Sequence, residues 1–526
     1  MTSFIMKSNG ALDVESKALV GGTSDKKATI VDVEKNKSDS KKNRGSAWRQ
    51  VLAAFVANIG TINTGLVFGF AAVANPQLRE PGSSISVNEE QASWIASLSS
   101  VTTPVGCILS GYLMDRIGRK LTLILTEIPA ILGLLLISAA TDINMIYVGR
   151  LLVGLGSGMV GAPARVYTCE VTQPHLRGML SALASVGVSL GVLIEYSLGA
   201  VMAWYVMAGI SALIPLLAFI LIILMPESPN WLLQRGRTED ARAALCKFRG
   251  GSCDVNKELD DMMCFAAKNN VVRLKGFKET IQALLQPSTL KPFGILFLYF
   301  MIYQFSGVNT ITFYAVDVFR MSGTEMNRFL ATVILGVVRL ISTIIACISL
   351  RRCGRRPLTM ISAIGCGLTM VGLGTYLHLR EGWVLNEVEP VATWFPVACI
   401  FIFTVASTIG FLVVPWVMIG EVYPTQVRGI AGGLTTCSAH IFVFIVVKTF
   451  PEFKHLLGIP GTFWMYGAIS LFGSLFFFFC LPETKGRSLQ EIEDYFCGRV
   501  KNLGEKVPSS ANMPKVLDIP KGKVLP

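Results

Sequence analysis

Residues 121–140 read LTLILTEIPAILGLLLISAA, residues 204–225 read WYVMAGISALIPLLAFILIILM, and residues 463–481 read FWMYGAISLFGSLFFFFCL. None of these blocks holds a Lys or Arg, and none holds more than one acid. The hydrocarbon core of a bilayer takes about 20 such residues per helix. Inside that core each backbone N–H and C=O must be satisfied by the chain itself, which a helix does locally. Composition agrees: 52% of residues are hydrophobic and only 16% charged, against about a quarter charged in a soluble domain. The chain reads as an all-α membrane protein that crosses the bilayer many times.

Taken in order, such blocks predict spans near 51–73, 92–113, 121–140, 145–168, 179–200 and 204–225. A polar stretch, 226–291, separates them from spans near 292–316, 327–350, 357–379, 393–418, 429–450 and 462–481. The expectation is twelve transmembrane helices. They divide the chain into a tail at 1–46, a six-helix bundle at 47–225, a linker with short helices at 226–291, a second six-helix bundle at 292–482, and a tail at 483–526. Two spans read less cleanly: 51–73 contains Asn58 and Asn63, and 393–418 contains two prolines.

A net charge of +12 would suit a nucleic-acid binder, but its placement points elsewhere. Lys and Arg gather in the first tail, at 116–120, through 235–291, at 351–356 and after 485. With twelve spans all of these fall on one side, and short Lys- and Arg-rich loops stay cytoplasmic. Both termini are therefore expected in the cytoplasm, with lipid and not nucleic acid as the large partner. Residues 1–46 are polar and charged, with no cleavable signal peptide, and read as a disordered tail. The twelve cysteines are scattered without a CxxC pair, so neither a metal site nor a disulfide framework is expected.

One phrase occurs twice. Residues 169–178 read CEVTQPHLRG and 420–429 read GEVYPTQVRG, placing Glu170 and Glu421 251 residues apart. DRIGRK at 115–120 answers to RRCGRR at 351–356, and PESPNW at 226–231 to PETKGR at 482–487. Three pairs in one order, each separated by six spans, indicate a duplicated unit in the same orientation. That layout places a site at the interface of the repeats, near the bilayer midplane.

These phrases, with GRLLVGLGSGMVGAP (149–163), YQFSGVNTITFY (303–314) and PWVMIGEVYPTQVRG (415–429), resemble the sugar-porter branch of the major facilitator superfamily. They run from the second span to the end of the chain. The QFSGVN phrase and the RGIAGG run look most like insect facilitated trehalose transporters. The resemblance implies that two bundles rock about a small-molecule sugar, with no cofactor. No Walker A loop and no nucleophile–base arrangement stands out, so neither ATP drive nor an enzyme is expected.

Asp115, Arg116, Arg119, Glu170 and Arg177 in the first half, with Arg352, Arg355, Glu421 and Arg428 in the second, exceed what a bare positive-inside bias requires. By resemblance they brace a cytoplasmic gate when the protein opens outward. The family usually has an acid where Arg351 stands, so the second network is expected to be less symmetric than the first. Polar residues inside a span are costly and usually functional. Gln304, Ser306 and Asn309 fall within six residues around Gly307. By resemblance Gln304 and Asn309 contact sugar, Trp416 lines or stacks on it, and Phe313 and Tyr314 lie near an outer gate.

The departures from the family are informative. Tyr303 and Ser185 stand where glutamines are common, Arg339 where an asparagine is, and His440 where a tryptophan is. These four are expected to line a reshaped pocket, which puts glucose itself in doubt. Arg339 sits near mid-membrane, where Glu195 is the acid to pair with it; the other reading has each snorkelling to its own interface. Arg150 and Arg165 are further charges expected in span 4. Proton-coupled relatives carry an acid in span 1, where this chain has Ala71, so downhill transport is favoured. Glu127, Glu195 and His440 keep proton coupling open. A transporter-like sugar sensor is the reading from outside transport.

Overall fold

The computed structural model describes residues 46–173, 176–177, 180, 182–250, 254–268, 277–424, 427–487 and 489–500. Both tails, 1–45 and 501–526, lie outside the described residues, as does Gly178 of the first repeated phrase. The described elements are helices. The first six are α1 (Ala47–Leu78), α2 (Glu89–Ile117), α3 (Arg119–Ser138), α4 (Ile143–Val171), α5 (Leu183–Val201) and α6 (Trp204–Leu224). Short helices follow: α7 (Pro229–Gln234), α8 (Thr238–Arg249), α9 (Val255–Lys268) and α10 (Phe277–Leu284). Then come α11 (Pro287–Phe305), α12 (Val308–Phe313), α13 (Ala315–Ser322), α14 (Arg328–Arg352), α15 (Arg355–Leu385), α16 (Phe395–Val422), α17 (Arg428–Cys480) and α18 (Leu489–Phe496).

Ten helices among the described residues are long and apolar enough to cross a membrane, against the twelve expected. The expected seventh span is broken: Gly307, at φ 88°, separates α11 from α12. A side chain there would be strained by the left-handed backbone and would also strike the Tyr466 ring at 2.7 Å. The last two expected spans run on as the 53-residue α17, whose backbone leaves helical geometry at Gly458.

Asn58 and Pro415 are accommodated by neighbouring helices, while the buried side-chain oxygens of Asn58 and Asn63 have no partner among the described residues. Asn58 of α1 donates through Nδ2 to the Ala54 carbonyl at 2.7 Å and to Thr168 Oγ1 of α4 at 2.9 Å. Pro415 cannot donate to the carbonyl one turn before it, and the preceding turn, Thr408–Leu412, widens into a π-helix. Ser362 of α15 bridges that irregularity: its hydroxyl donates to the Ala406 carbonyl at 2.7 Å and accepts from the Phe411 N–H at 3.1 Å.

α1 packs on α4 and α5, and α2 and α3 pack on α4; in the second set α15 packs on α16 and α17, and α11 on α17. Where α1 meets α5, a Cβ on Gly65 would lie 2.0 Å from the Val188 carbonyl oxygen, and one on Gly191 2.1 Å from that of Ile62. Only glycine permits that backbone contact. The sets meet along a seam where α2 packs on α17 and α5 on α14. Phe248 of α8 packs edge-on against Tyr167 of α4 at 6.4 Å, so the short helices cap one end of the first set. That end is the linker end of the molecule. Leu213, Leu217 and Leu224 of α6, and Ile341, Ile344 and Ile348 of α14, are exposed. Such apolar faces suit acyl chains, not water.

Candidate functional site

At the linker end the repeated phrases become one cluster built twice. Arg119 donates through Nη2 to Glu170 Oε1 at 3.0 Å and through Nε to Oε2 at 3.0 Å. Arg355 donates through Nε to Glu421 Oε2 at 3.1 Å and through Nη2 to Oε1 at 2.5 Å. Ser228 Oγ donates to Glu170, and Thr484 Oγ1 donates to Glu421 at 2.7 Å. Glu227 accepts the backbone N–H of Arg119 at 3.0 Å, and Glu483 that of Arg355 at 3.0 Å. Arg177 donates to the Thr172 carbonyl at 3.4 Å, and Arg428 to the Tyr423 carbonyl at 3.1 Å, each closing its own turn five residues back.

Each glutamate of the phrase thus pairs with an arginine from the neighbouring phrase, not with the arginine seven positions on. Both clusters are complete within their own set of helices. Asp115, Arg116 and Arg352 remain exposed. Arg116 bonds Tyr112 of its own helix, and the carbonyls of Asp115 and Arg352 accept from Arg235 and Lys485. Glu227, Ser228, Glu483 and Thr484 complete these hydrogen-bonded clusters and stand in the sequence only as the repeated PES and PET triplets.

At the opposite, far end, ion pairs cross the seam. Arg79, capping the end of α1, pairs with Asp317 of α13, which also holds Arg320 at 3.1 Å. Glu80 reaches Arg328 of α14 at 3.5 Å. Glu89 of α2 pairs with Lys454 and, at 3.4 Å, with His455 of α17. Lys448 donates to Ser93 Oγ at 2.8 Å and sits 4.3 Å over the Trp94 ring. Phe313 faces Phe68 of α1 across the seam at 5.3 Å. Tyr314 turns back into its own set, donating to the Val447 carbonyl at 3.0 Å and packing on Phe450. None of these cross-seam ion pairs was anticipated; the acidic stretch 79–90 was the available signal.

Between the ends lie the expected pocket residues. The Gly307 break brings Asn309 and Gln304 together, Asn309 Nδ2 donating to Gln304 Oε1. Both are buried. An aromatic run leads away: Tyr303 packs on Phe300 and Phe411, and Phe300 meets Trp416 at 5.0 Å. Trp416 packs edge-on against His440 at 6.1 Å, while Arg165 of α4 crosses the seam to lie 5.5 Å from the same ring. Ser185 is half-buried on α5; it is Ser189, one turn on, that crosses the seam to Thr343 of α14 at 2.7 Å.

Glu195 and Arg339 make no direct ion pair, and neither snorkels. Glu195 is fully buried and accepts from Ser211 Oγ of α6 at 2.7 Å, while its Oε1 has no donor. A Cβ on Gly69 of α1 would lie 2.8 Å from that of Glu195, so the carboxylate faces α1. Successive residues of a helix point about 100° apart, and it is Tyr196 that faces the seam, donating to the Thr312 carbonyl at 2.6 Å. Arg339, buried, donates through Nη1 to Thr312 Oγ1 at 2.6 Å. Arg150, also buried, spends its guanidinium on the carbonyls of Ile95, Val67 and Ala96 and on Ser99 Oγ, tying α4 to α1 and α2.

A sequence profile described as "Sugar (and other) transporter" matches residues 51–496. A facilitated trehalose transporter of Bombyx mori is 33% identical over 463 residues, covering 87% of this chain and 90% of that protein. One of Drosophila yakuba is 33% identical over 470 residues, covering 89% of this chain; the chain spans only 54% of that longer relative. Among solved structures, the inward open conformation of the xylose transporter XylE from E. coli matches with a TM-score of 0.67 at 21% identity, covering 84% of this chain and 98% of that one. At that identity the likeness bears on the fold alone.

Proposed function

Because the chain belongs to the sugar transporter family of the major facilitator superfamily, whose members are membrane transporters, we propose that it moves trehalose or a related sugar across the plasma membrane by facilitated diffusion. In this reading α17 makes two passes and the broken stretch α11–α13 makes one, which with the other nine spanning helices gives twelve. The two sets are rigid halves, the linker end is cytoplasmic, and the far end is outside. The observation that carries the reading is the placement of ion pairs. Among the described residues they cross the seam only at the far end, while the duplicated clusters at the linker end each close within one half. Alternating access requires such a two-state seam.

Gln304 and Asn309 offer the donors and acceptors that sugar hydroxyls need, and Trp416 offers a flat apolar face. Tyr303, Ser185 and His440 shape the remainder. Counterflow of labelled trehalose, hexoses and polyols in proteoliposomes tests the reading. Trehalose-stimulated counterflow is expected, and its absence for every polyhydroxyl solute would overturn it. Proton coupling is the second reading, favoured by one observation: Glu195 is a buried carboxyl with an oxygen that no donor reaches. Sugar-evoked alkalinisation of the medium separates the two.

A further inference from the structure

A small, largely enclosed cavity lies in the seam between α5, α12, α14 and α16, lined by Val308 and Thr312 of the helix that carries Asn309. Its polar wall is Tyr196, Thr312, Arg339, Thr404, Ser407 and Thr408. Arg339 is only 6% exposed and its Nε has no acceptor. None of the ion pairs among the described residues involves it. We propose that this cavity is a site for a small inorganic anion of the chloride class, held by Arg339 at the seam.

Two deficits define the occupant. The first is a hydrogen-bond deficit at Nε, which a water could meet. The second is one of charge: a guanidinium holds its proton, and a buried cation needs a counter-charge that water does not supply. Glu195 does not supply it, since its carboxylate faces α1 and Ser211. Size then decides among anions. The cavity has room for about one water-sized group, which admits a halide and excludes a sugar acid. The hydroxyls of Thr404, Ser407 and Thr408 now donate to backbone carbonyls of their own helix, and a hydroxyl proton can rotate toward an anion. Tyr196 comes from the first half and the other five residues from the second, so an ion here touches both halves. Its influence on the transport cycle rests on the proposed transport reading; the site itself does not.

The test uses the full-length protein in detergent, melted in sodium chloride and in sodium gluconate at equal ionic strength. The expected result is a saturable rise in melting temperature of a few degrees with chloride, lost in Arg339→Gln. Thr312→Val keeps the charge but removes the hydroxyl that fixes Nη1, and should raise the half-saturating chloride concentration about tenfold. No chloride-dependent shift in the wild type, or an unchanged half-saturation in Thr312→Val, would overturn the proposal. Sugar counterflow measured in the same two salts keeps the two ideas apart. Chloride stabilisation without any counterflow would count against transport and leave the site standing, whereas counterflow without a chloride shift would do the reverse.

Discussion

The two ends of the molecule use the same residue types to opposite purpose. At the linker end Arg119 with Glu170, and Arg355 with Glu421, bind helices of one half to one another. At the far end Arg79 with Asp317, Glu80 with Arg328, and Glu89 with Lys454 bind one half to the other. The difference lies in which helices the partners come from. A pair inside a half can persist through the whole cycle and keep that half rigid. A pair across the seam must break whenever that end opens. In the proposed transport reading the linker-end clusters would act as fasteners and the far-end pairs as latches.

That contrast orders the expected effects. The largest belong to the fasteners, whose charges are well shielded: the Arg119 and Glu170 side chains are 8% and 14% exposed. Removing one partner strands a desolvated charge, a loss of about 1.5–3 kcal/mol for a charge-assisted hydrogen bond. Glu170→Gln and Glu421→Gln should each lower sugar uptake about tenfold or more and lower the melting temperature alike. A large loss in one with none in the other would break the equivalence of the two clusters.

Next comes the best-buried latch, with Arg79 and Asp317 side chains 22% and 8% exposed. Asp317→Asn should leave the melting temperature nearly unchanged and increase outside labelling of a cysteine placed at Phe68 several-fold, because the far end opens more readily. A melting loss equal to that of Glu170→Gln would mean that the far end fastens as well. Smallest are the exposed latches. The Arg328 and Glu80 side chains are 37% and 55% exposed, and such pairs contribute about 0–1 kcal/mol and weaken with salt. Glu80→Gln should change uptake by less than about twofold in low salt, with the difference vanishing in high salt.

The linker-end residues, expected by resemblance to brace a gate, are legible in the sequence as a repeated phrase, whereas the far-end pairs are not, for a physical reason. A duplicated fastener leaves a trace because both copies satisfy one local geometry: an acid at the end of a helix, an arginine starting another, and a PES or PET turn over them. A latch joins two unlike surfaces, so its residues share no phrase and no spacing. The break at Gly307 was readable because a glycine between polar residues in an apolar run is rare. A direct Glu195–Arg339 pair is absent because of helix phase: both residues lie on the expected helices, but Glu195 points at α1 and its neighbour Tyr196 at the seam. The π-turn before Pro415 was likewise invisible, since its cure, Ser362, lies on another helix.

The central claim is that two rigid halves exchange which end of the seam is closed around a sugar. Spin labels at Glu80→Cys and Arg328→Cys report the far end, and labels at Arg116→Cys and Arg352→Cys the linker end, each pair in a background without other reactive cysteines. Adding trehalose should redistribute both pairs in opposite senses, the far-end distance lengthening in the population whose linker-end distance shortens. Distances that stay fixed with and without sugar, or that lengthen together, would contradict the account.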